Sequence, residues 1–182
     1  MGYLLISDGM GSGSLASIDA KIASNLFVRL IKGGFSYEST IKTVNSVMML
    51  KSAEETLATL DVCCIDLFTG QAEFLKAGAA PSFLWKAGEV SEIEQSALPV
   101  GILSGVSFER SATKVQVGDM VVLVSDGVTD ESTQWIKGEI KGLSDAPAQE
   151  IAEKLAQAAK ARRSQGEDDI TVLVAKLAPG IS

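Results

Sequence analysis

The stretch YLLISDGMGSG (residues 3–13) runs from a short apolar segment into an acidic residue set among glycines. The apolar run has the length of a strand, and it delivers Asp8 to the end of a buried sheet. The glycines allow backbone angles and close approaches that side chains would block. A helix is expected to begin directly afterwards, capped by Ser12 or Ser14. A corner of this kind suits a cation or a phosphate.

The chain uses the same arrangement twice. The segment MVVLVSDG (residues 120–127) is a second apolar run that ends in Ser-Asp-Gly and carries Asp126. Near the C-terminus the order is reversed, because the acidic pair Asp168 and Asp169 precedes the apolar run VLVA (residues 172–175). Neighbouring carboxylates repel one another unless they are protonated or bridged by cations. If folding brings these strand ends together, a metal site is the simplest explanation.

Composition limits the class of protein. At 182 residues, with 46% hydrophobic and 21% charged residues, the chain is expected to form a single globular domain, 1–182. The net charge of −7 gives no electrostatic support for binding nucleic acid. No apolar run approaches the roughly 20 residues that cross a bilayer, and no signal-peptide pattern opens the chain. We therefore predict a cytoplasmic protein.

Histidine is absent from the sequence. A Ser-His-Asp or Cys-His nucleophilic apparatus within the chain is therefore excluded, as is a histidine-ligated metal site. The two cysteines, Cys63 and Cys64, are adjacent in an apolar segment and are interpreted as core residues. Carboxylates remain as the chemical groups, and oxygen ligands select hard cations such as Mg²⁺, Mn²⁺ or Ca²⁺.

The remaining periodicities predict a mixed α and β chain. Helices are expected over 15–31, stopped by the glycines at 33 and 34, over 37–50 with Ser36 as its cap, and from 145 to 162. Strands are expected at 60–68, 72–77, 82–86, 90–94, 108–115, 120–124 and 170–177, the last as a central strand because its apolar run is nearly continuous. The segment from 127 to 141 is polar and mixed, without a clear period.

Other acidic and basic residues leave alternatives open. Asp66 is interpreted as a turn residue, while Asp61 is either turned toward the site or structural. Asp130 and Glu131 are either extra ligands or the first turn of a helix. A basic cluster at 160–163 (Lys160, Arg162 and Arg163) either contacts a phosphate or forms a solvated helix end.

The three motifs SDGMG (7–11), SDG (125–127) and DDIT (168–171) occur in the order typical of the PPM family of metal-dependent protein serine/threonine phosphatases. The sequence resembles the SpoIIE-like branch of that family. The similarity extends through ATLD (58–61), LKAGAAPSF (75–83) and LPVGI (98–102), so that it covers nearly the whole chain.

The resemblance implies an α+β fold, an αββα sandwich of two antiparallel sheets flanked by helices, with a two-metal Mn²⁺ or Mg²⁺ centre. By position, Asp8 would bridge both metals, the Gly9 carbonyl would bind the second, and Asp126 and Asp168 would hold the first. Water activated by the metals would attack the phosphorus of phosphoserine or phosphothreonine. Asp8, Asp126 and Asp168 are thus the catalytic and metal-binding candidates.

In SpoIIE-like proteins residues matching 14–50 act as a regulatory switch. The usual substrate is a phosphorylated anti-anti-sigma factor, in sporulation or stress signalling. The sequence leaves the oligomeric state open, with a dimer as one alternative. Family members carry a further acidic residue upstream of the first strand, so the chain is expected to lack an N-terminal strand or two and part of the second metal site. That departure leaves a non-catalytic phosphoprotein-binding or regulatory module as the alternative. A small-molecule phosphohydrolase is a third hypothesis.

Overall fold

The structure, a computed structural model, describes residues 1–11, 14–51, 57–104, 108, 110–129, 132–162 and 168–179. Its strands are β1 (Gly2–Ile6), β2 (Leu60–Ile65), β3 (Gln71–Ala77), β4 (Ser82–Lys86), β5 (Glu89–Ile93), β6 (Arg110–Lys114), β7 (Met120–Val124) and β8 (Val172–Lys176). Its helices are α1 (Ser14–Lys32), α2 (Tyr37–Lys51), α3 (Gln134–Gly142) and α4 (Ala148–Arg162), and a short 3₁₀ turn spans Asp126–Val128.

The described strands form two antiparallel sheets. The first sheet has the order β1-β2-β3-β6 and the second has the order β5-β4-β7-β8. Short hairpins connect β2 to β3 and β4 to β5, and short connections require antiparallel neighbours. Asp66 forms the first of these turns, because its Oδ1 accepts hydrogen bonds from the Phe68 and Thr69 amides. This confirms the prediction for Asp66.

Three apolar layers hold the four layers of structure together. On the outside of the first sheet, α1 and α2 contribute a cluster that includes Phe27 and Met48. Between the sheets, Phe74 and Cys63 from the first sheet belong to one cluster with Leu123 from the second. On the outside of the second sheet lie α3 and α4, and their buried residues are Ile136, Ile140, Ile151, Leu155 and Ala159. The predicted αββα sandwich is confirmed.

Strand β2 is buried at every position, from Leu60 to Ile65. Successive side chains point to opposite faces of a strand, and both faces of this one are covered. Leu60 and Val62 belong to the cluster with the helices, whereas Cys63 and Ile65 belong to the cluster between the sheets. By the same alternation Asp61 points into the layer between the sheets, where a charged group needs a partner.

One expectation about the position of a strand is wrong. Among the described strands β8 lies at the edge of its sheet, next to β7, and is not central. Its apolar run is continuous because the second sheet's helices cover one face, where Val172 and Val174 pack, and the first sheet covers the other, where Leu173 and Ala175 pack. A helix after Gly127 was one of two alternatives and had no predicted bounds. Helix α3 begins at Gln134, and its bounds were not predictable because its buried face consists of only Ile136 and Ile140, with Gly138 between them.

Side-chain hydrogen bonds fix helix α2 at its start and near its middle. Ser36 caps α2 as predicted, since its Oγ accepts a hydrogen bond from the Ser39 amide at 3.2 Å. Asn45 of α2 is buried and accepts a hydrogen bond from the Gly101 amide at 2.9 Å, which ties α2 to the loop after β5. None of the described helices is both long and apolar enough to span a membrane.

Candidate metal centre

Asp8 is positioned by its backbone. The chain leaves β1 at Ile6, and the Ser7 hydroxyl then donates a hydrogen bond to the Thr59 carbonyl at 2.8 Å. The Asp8 amide donates to Thr59 Oγ1 at 2.9 Å, and the Thr59 amide donates to the Asp8 carbonyl at 2.7 Å. Because residue 59 satisfies both backbone groups of Asp8, the carboxylate is left to face the end of the sandwich.

Gly9 is required by close packing. It forms an isolated antiparallel bridge with Ala58, and a Cβ placed on Gly9 would lie 1.8 Å from the Ala16 carbonyl oxygen. The flanking hydrogen bonds of this bridge are made by Asp8 and Met10, so the Gly9 carbonyl is directed away from residues 57–59. The glycine after Asp8 therefore lets the backbone of α1 approach the site.

Asp126 and Asp168 are tied to each other through Ser125 in the second sheet. The Ser125 hydroxyl donates to the Asp169 carbonyl at 2.9 Å and accepts from the Thr171 amide at 2.9 Å. The Asp126 carboxylate accepts from the Gly127 amide at 3.0 Å, and the Asp168 carboxylate accepts from the Asp169 amide at 2.9 Å. Ser125 thus fixes the end of β7 against the segment that leads into β8.

The structure brings Asp8, Asp126 and Asp168 together. One carboxylate oxygen from each lies within 4.8 Å of the others; Asp8 is half-buried and the other two are exposed. Two oxygens on opposite sides of a Mg²⁺ ion lie about 4.2 Å apart, since each bond is about 2.1 Å. The donor set and its spacing therefore fit a divalent cation after small adjustments.

The electrostatics of Asp8 support the same conclusion. Its pKa is raised above the ordinary range, first by burial and then by the negative charges of Asp126 and Asp168. The Gly9 amide opposes the shift by hydrogen bonding. A cluster that resists ionisation in this way is stabilised either by a proton or by a cation.

In the metal-free protein Asp8→Asn should raise the melting temperature at neutral pH. A carboxyl whose pKa is raised on folding favours the folded state when protonated, so stability falls as pH rises from the ordinary pKa through the raised one. At neutral pH, above its ordinary pKa, the wild type carries this penalty and the variant does not. Thermal unfolding with a chelator at pH 7 and at pH 4 measures the difference, which should shrink at the lower pH. A variant that melts below the wild type at pH 7 would contradict the repulsion.

The structure places the remaining candidates elsewhere or does not describe them. Asp61 is fully buried and forms an ion pair with Lys76 at 2.8 Å, outside the carboxylate cluster. Lys160 and Arg162 lie in the last turn of α4, and the Arg162 guanidinium lies 4.6 Å from the centre of the Trp135 ring. Asp130, Glu131 and Arg163 lie outside the described residues.

Sequence reasoning missed the residues that support the acids, namely Ser7, Thr59 and Ser125. A signal for two of them was available, because a serine precedes the aspartate in both Ser-Asp-Gly motifs. The two serines bond differently, Ser7 to the backbone of Thr59 and Ser125 to the backbone of residues 169 and 171. Thr59 gave no comparable signal, because nothing local in the sequence indicates its contact with Asp8.

A family profile described as Stage II sporulation protein E (SpoIIE) matches residues 3–178. This chain belongs to the SpoIIE family. Among curated SpoIIE proteins, that of Bacillus subtilis (strain 168) is 34% identical over 179 residues, which are 94% of this chain and 22% of the relative. That of Priestia megaterium is 33% identical over 181 residues, which are 96% of this chain and 31% of the relative. The chain thus spans between a fifth and a third of the length of these relatives.

A solved structure of the SpoIIE family agrees with the fold. The PP2C phosphatase domain of Bacillus subtilis SpoIIE, solved with a fragment of its regulatory domain, has a TM-score of 0.86 and 34% identity. The match covers 96% of this chain and 54% of that one. A more distant likeness, to the serine/threonine phosphatase PstP in complex with two manganese ions, has a TM-score of 0.80 at 17% identity, and it shows the fold alone.

Proposed function

We propose that this chain is a Mn²⁺- or Mg²⁺-dependent phosphatase that hydrolyses phosphoserine or phosphothreonine on a regulatory protein. The observation that carries the proposal is the convergence of Asp8 with Asp126 and Asp168 from the opposite sheet. The chain is also 24% identical over 133 residues to a protein named phosphoserine phosphatase RsbU, from Bacillus subtilis. This similarity supports the proposed activity. The absence of histidine agrees with chemistry that depends on carboxylates and metal ions.

Each residue of the site has a proposed role. Asp8 would bridge two divalent ions, the Gly9 carbonyl would bind one of them, and Asp126 and Asp168 would hold the other. When bound, such ions lower the pKa of a water molecule and neutralise charge on the phosphoryl oxygens. The protein's own contribution is to orient these oxygen ligands and to hold the phosphorylated side chain beside them.

A cleft of about 610 Å³ adjoins Asp8 and Asp168. We propose that the substrate binds in this cleft. One side of it is formed by Asp8, Asp168 and Asp169, and the other by residues of α1 that include Ser17 and Lys21. The ammonium group of Lys21 is suited to an oxygen of the phosphoryl group or to an acidic side chain of the substrate. A cleft that is open and polar in this way accepts a segment of a phosphoprotein more readily than a small apolar ligand.

The proposal is tested by phosphate release from a phosphoserine protein, such as a phosphorylated anti-anti-sigma factor, with Mn²⁺ and with a chelator. We expect release only with the metal. A protein that binds the phosphoprotein without turnover, at any metal concentration, would instead favour the non-catalytic phosphoprotein-binding module. Turnover that the chelator leaves unchanged would exclude the metal assignment.

Metal binding alone predicts a measurable stabilisation. A ligand at 100 times its Kd stabilises the folded state by about 2.7 kcal/mol, and in a domain of this size each kcal/mol raises the melting temperature by about 2–4 °C. Saturation with Mn²⁺ should therefore raise it by about 5–11 °C. Differential scanning fluorimetry of wild type and of Asp168→Asn measures the effect, and an equal rise in both would contradict the site.

Other properties are proposed on separate grounds. We infer a cytoplasmic location from the sequence itself, and by analogy with the family a single phosphatase domain over residues 1–182 and a role in sporulation or stress signalling. The described helices α1 and α2 pack on the first sheet, with Ala16 of α1 next to Gly9, and would be the regulatory switch. Sedimentation of the purified chain would distinguish a monomer from a dimer.

A further inference from the structure

A charged group lies where an apolar core is expected, in the layer between the two sheets. Lys76 Nζ is 2.8 Å from Asp61 Oδ2, and it donates a hydrogen bond to Ser82 Oγ at 2.6 Å. The Ser82 hydroxyl in turn donates to Asp61 Oδ2 at 2.6 Å. All three residues have no exposed surface. We call this group the inter-sheet clamp.

The inter-sheet clamp joins the sheets that carry the acids. Asp61 and Lys76 are cross-strand partners in the first sheet, and Asp61 also pairs with Ile6, two residues before Asp8. Ser82 opens β4 of the second sheet, whose next residue, Phe83, pairs with Val122 of the strand that leads to Asp126. The clamp therefore crosses between the sheets at the end of the sandwich where the carboxylates meet.

Lys76 also holds a loop of the site. Its Nζ donates a third hydrogen bond, to the Ala80 carbonyl at 2.6 Å. Ala80 and its neighbours Gly78 and Ala79 line a small cavity together with Asp8 and Asp126. A single buried ammonium group thus fixes one sheet, the other sheet and the loop that faces two of the acids.

Stability alone does not account for this group. Buried ion pairs can often be replaced by apolar residues of similar volume without loss of stability. Moreover, Asp61 Oδ1 is buried and finds no hydrogen-bond partner within the part of the chain that the structure describes. A buried polar atom without a hydrogen-bond partner is unfavourable, so a role other than stability is needed to explain why this group is present.

We propose that Lys76, Asp61 and Ser82 are positioning residues, which hold the sheet that bears Asp8 against the sheet that bears Asp126 and Asp168 at the separation required for binding metal. Any effect of these residues on turnover rests on the proposed function, whereas their effect on the positions of the three carboxylates does not. An apolar replacement would keep the core filled and lose the directions that the three hydrogen bonds impose.

The test uses the triple variant Lys76→Met, Asp61→Leu, Ser82→Ala, with Ser82→Ala alone as a second variant. Lys176→Met is the matched control, because Lys176 also donates to two loop carbonyls, those of Ser144 and Ala146, but between α3 and α4. Mn²⁺ affinity is measured by calorimetry without substrate. Amide hydrogen exchange of residues 78–82, apart from Pro81, which has no amide hydrogen, is measured in the metal-free protein.

We expect the folded triple variant to bind Mn²⁺ about 10–100-fold more weakly than wild type, the range found when groups that orient metal ligands are lost. Exchange at residues 78–82 should rise at least tenfold, and Ser82→Ala should change both quantities in the same direction by less. Lys176→Met should change neither. If the triple variant does not fold, Ser82→Ala decides.

A folded variant with wild-type Mn²⁺ affinity and wild-type exchange would overturn the proposal. Loss of affinity equal to that of Lys176→Met would do the same. If the wild type binds Mn²⁺ but releases no phosphate, the proposed function fails while the clamp is still tested by affinity. If the wild type binds no Mn²⁺, the proposal is overturned, because the separation that the clamp holds would not be one that binds metal.

Discussion

Asp126→Asn should lower Mn²⁺-dependent phosphate release by more than about 100-fold, because loss of a residue that merely orients a metal ligand already costs about 10–100-fold. Asparagine keeps the size of the side chain but removes one negative charge from a cluster of three carboxylates. Asp126 is exposed and lies in a short 3₁₀ turn, so the fold should be retained. Steady-state kinetics on a phosphoserine protein, at several Mn²⁺ concentrations, measure the loss.

The matched control is Asp145→Asn, which removes the same charge from an exposed position between α3 and α4. The control should have wild-type turnover, which excludes an effect of net charge. If higher Mn²⁺ restores the rate of Asp126→Asn, the residue acts mainly by holding the metal. A variant with wild-type turnover and wild-type metal dependence would show that the reacting site lies elsewhere.

The acids of the site could be predicted because their signal is local. Each of the motifs at 7–9, 125–127 and 168–171 combines an apolar run with an aspartate at a strand end, and this arrangement is visible without any knowledge of the fold. The αββα sandwich was implied by the resemblance, while periodicity predicted only the individual helices and strands. The structure adds which sheet carries which acid, since Asp8 follows β1 while Asp126 and Asp168 flank β7 and β8.

The elements that could not be predicted depend on partners distant in the chain. The role of Asp61 is set by the register of β2 on β3, which places it opposite Lys76, and by a serine from the other sheet. The edge position of β8 is equally non-local, because helices pack on one of its faces and the first sheet on the other, which gives an apolar run whether or not a second strand pairs with it. Local patterns report whether a residue is buried but not which element buries it.

Lys76→Met should destabilise the protein by about 3–5 kcal/mol, the usual cost of removing one partner of a buried ion pair. Methionine fills much of the same volume, so the loss comes from Asp61, which is left buried without its cation. Against a typical free energy of unfolding of about 5–15 kcal/mol this is a large fraction. Urea denaturation of the metal-free proteins at neutral pH measures it, and Lys176→Met again serves as the control.

The pH dependence identifies the cause of this loss. Burial already raises the pKa of Asp61, and the positive charge of Lys76 opposes that shift, so the pKa should rise further in Lys76→Met. When the pKa of a carboxyl is higher in the folded state than in the unfolded state, the free energy of unfolding of the protein falls as pH rises. The difference in this free energy between wild type and Lys76→Met should therefore shrink as pH falls through the new pKa of Asp61. Adding Asp61→Leu to Lys76→Met should recover most of the loss at neutral pH, because no buried charge remains. A deficit that neither acid nor the second substitution reduces would mean that Lys76 contributes by packing and not by its charge.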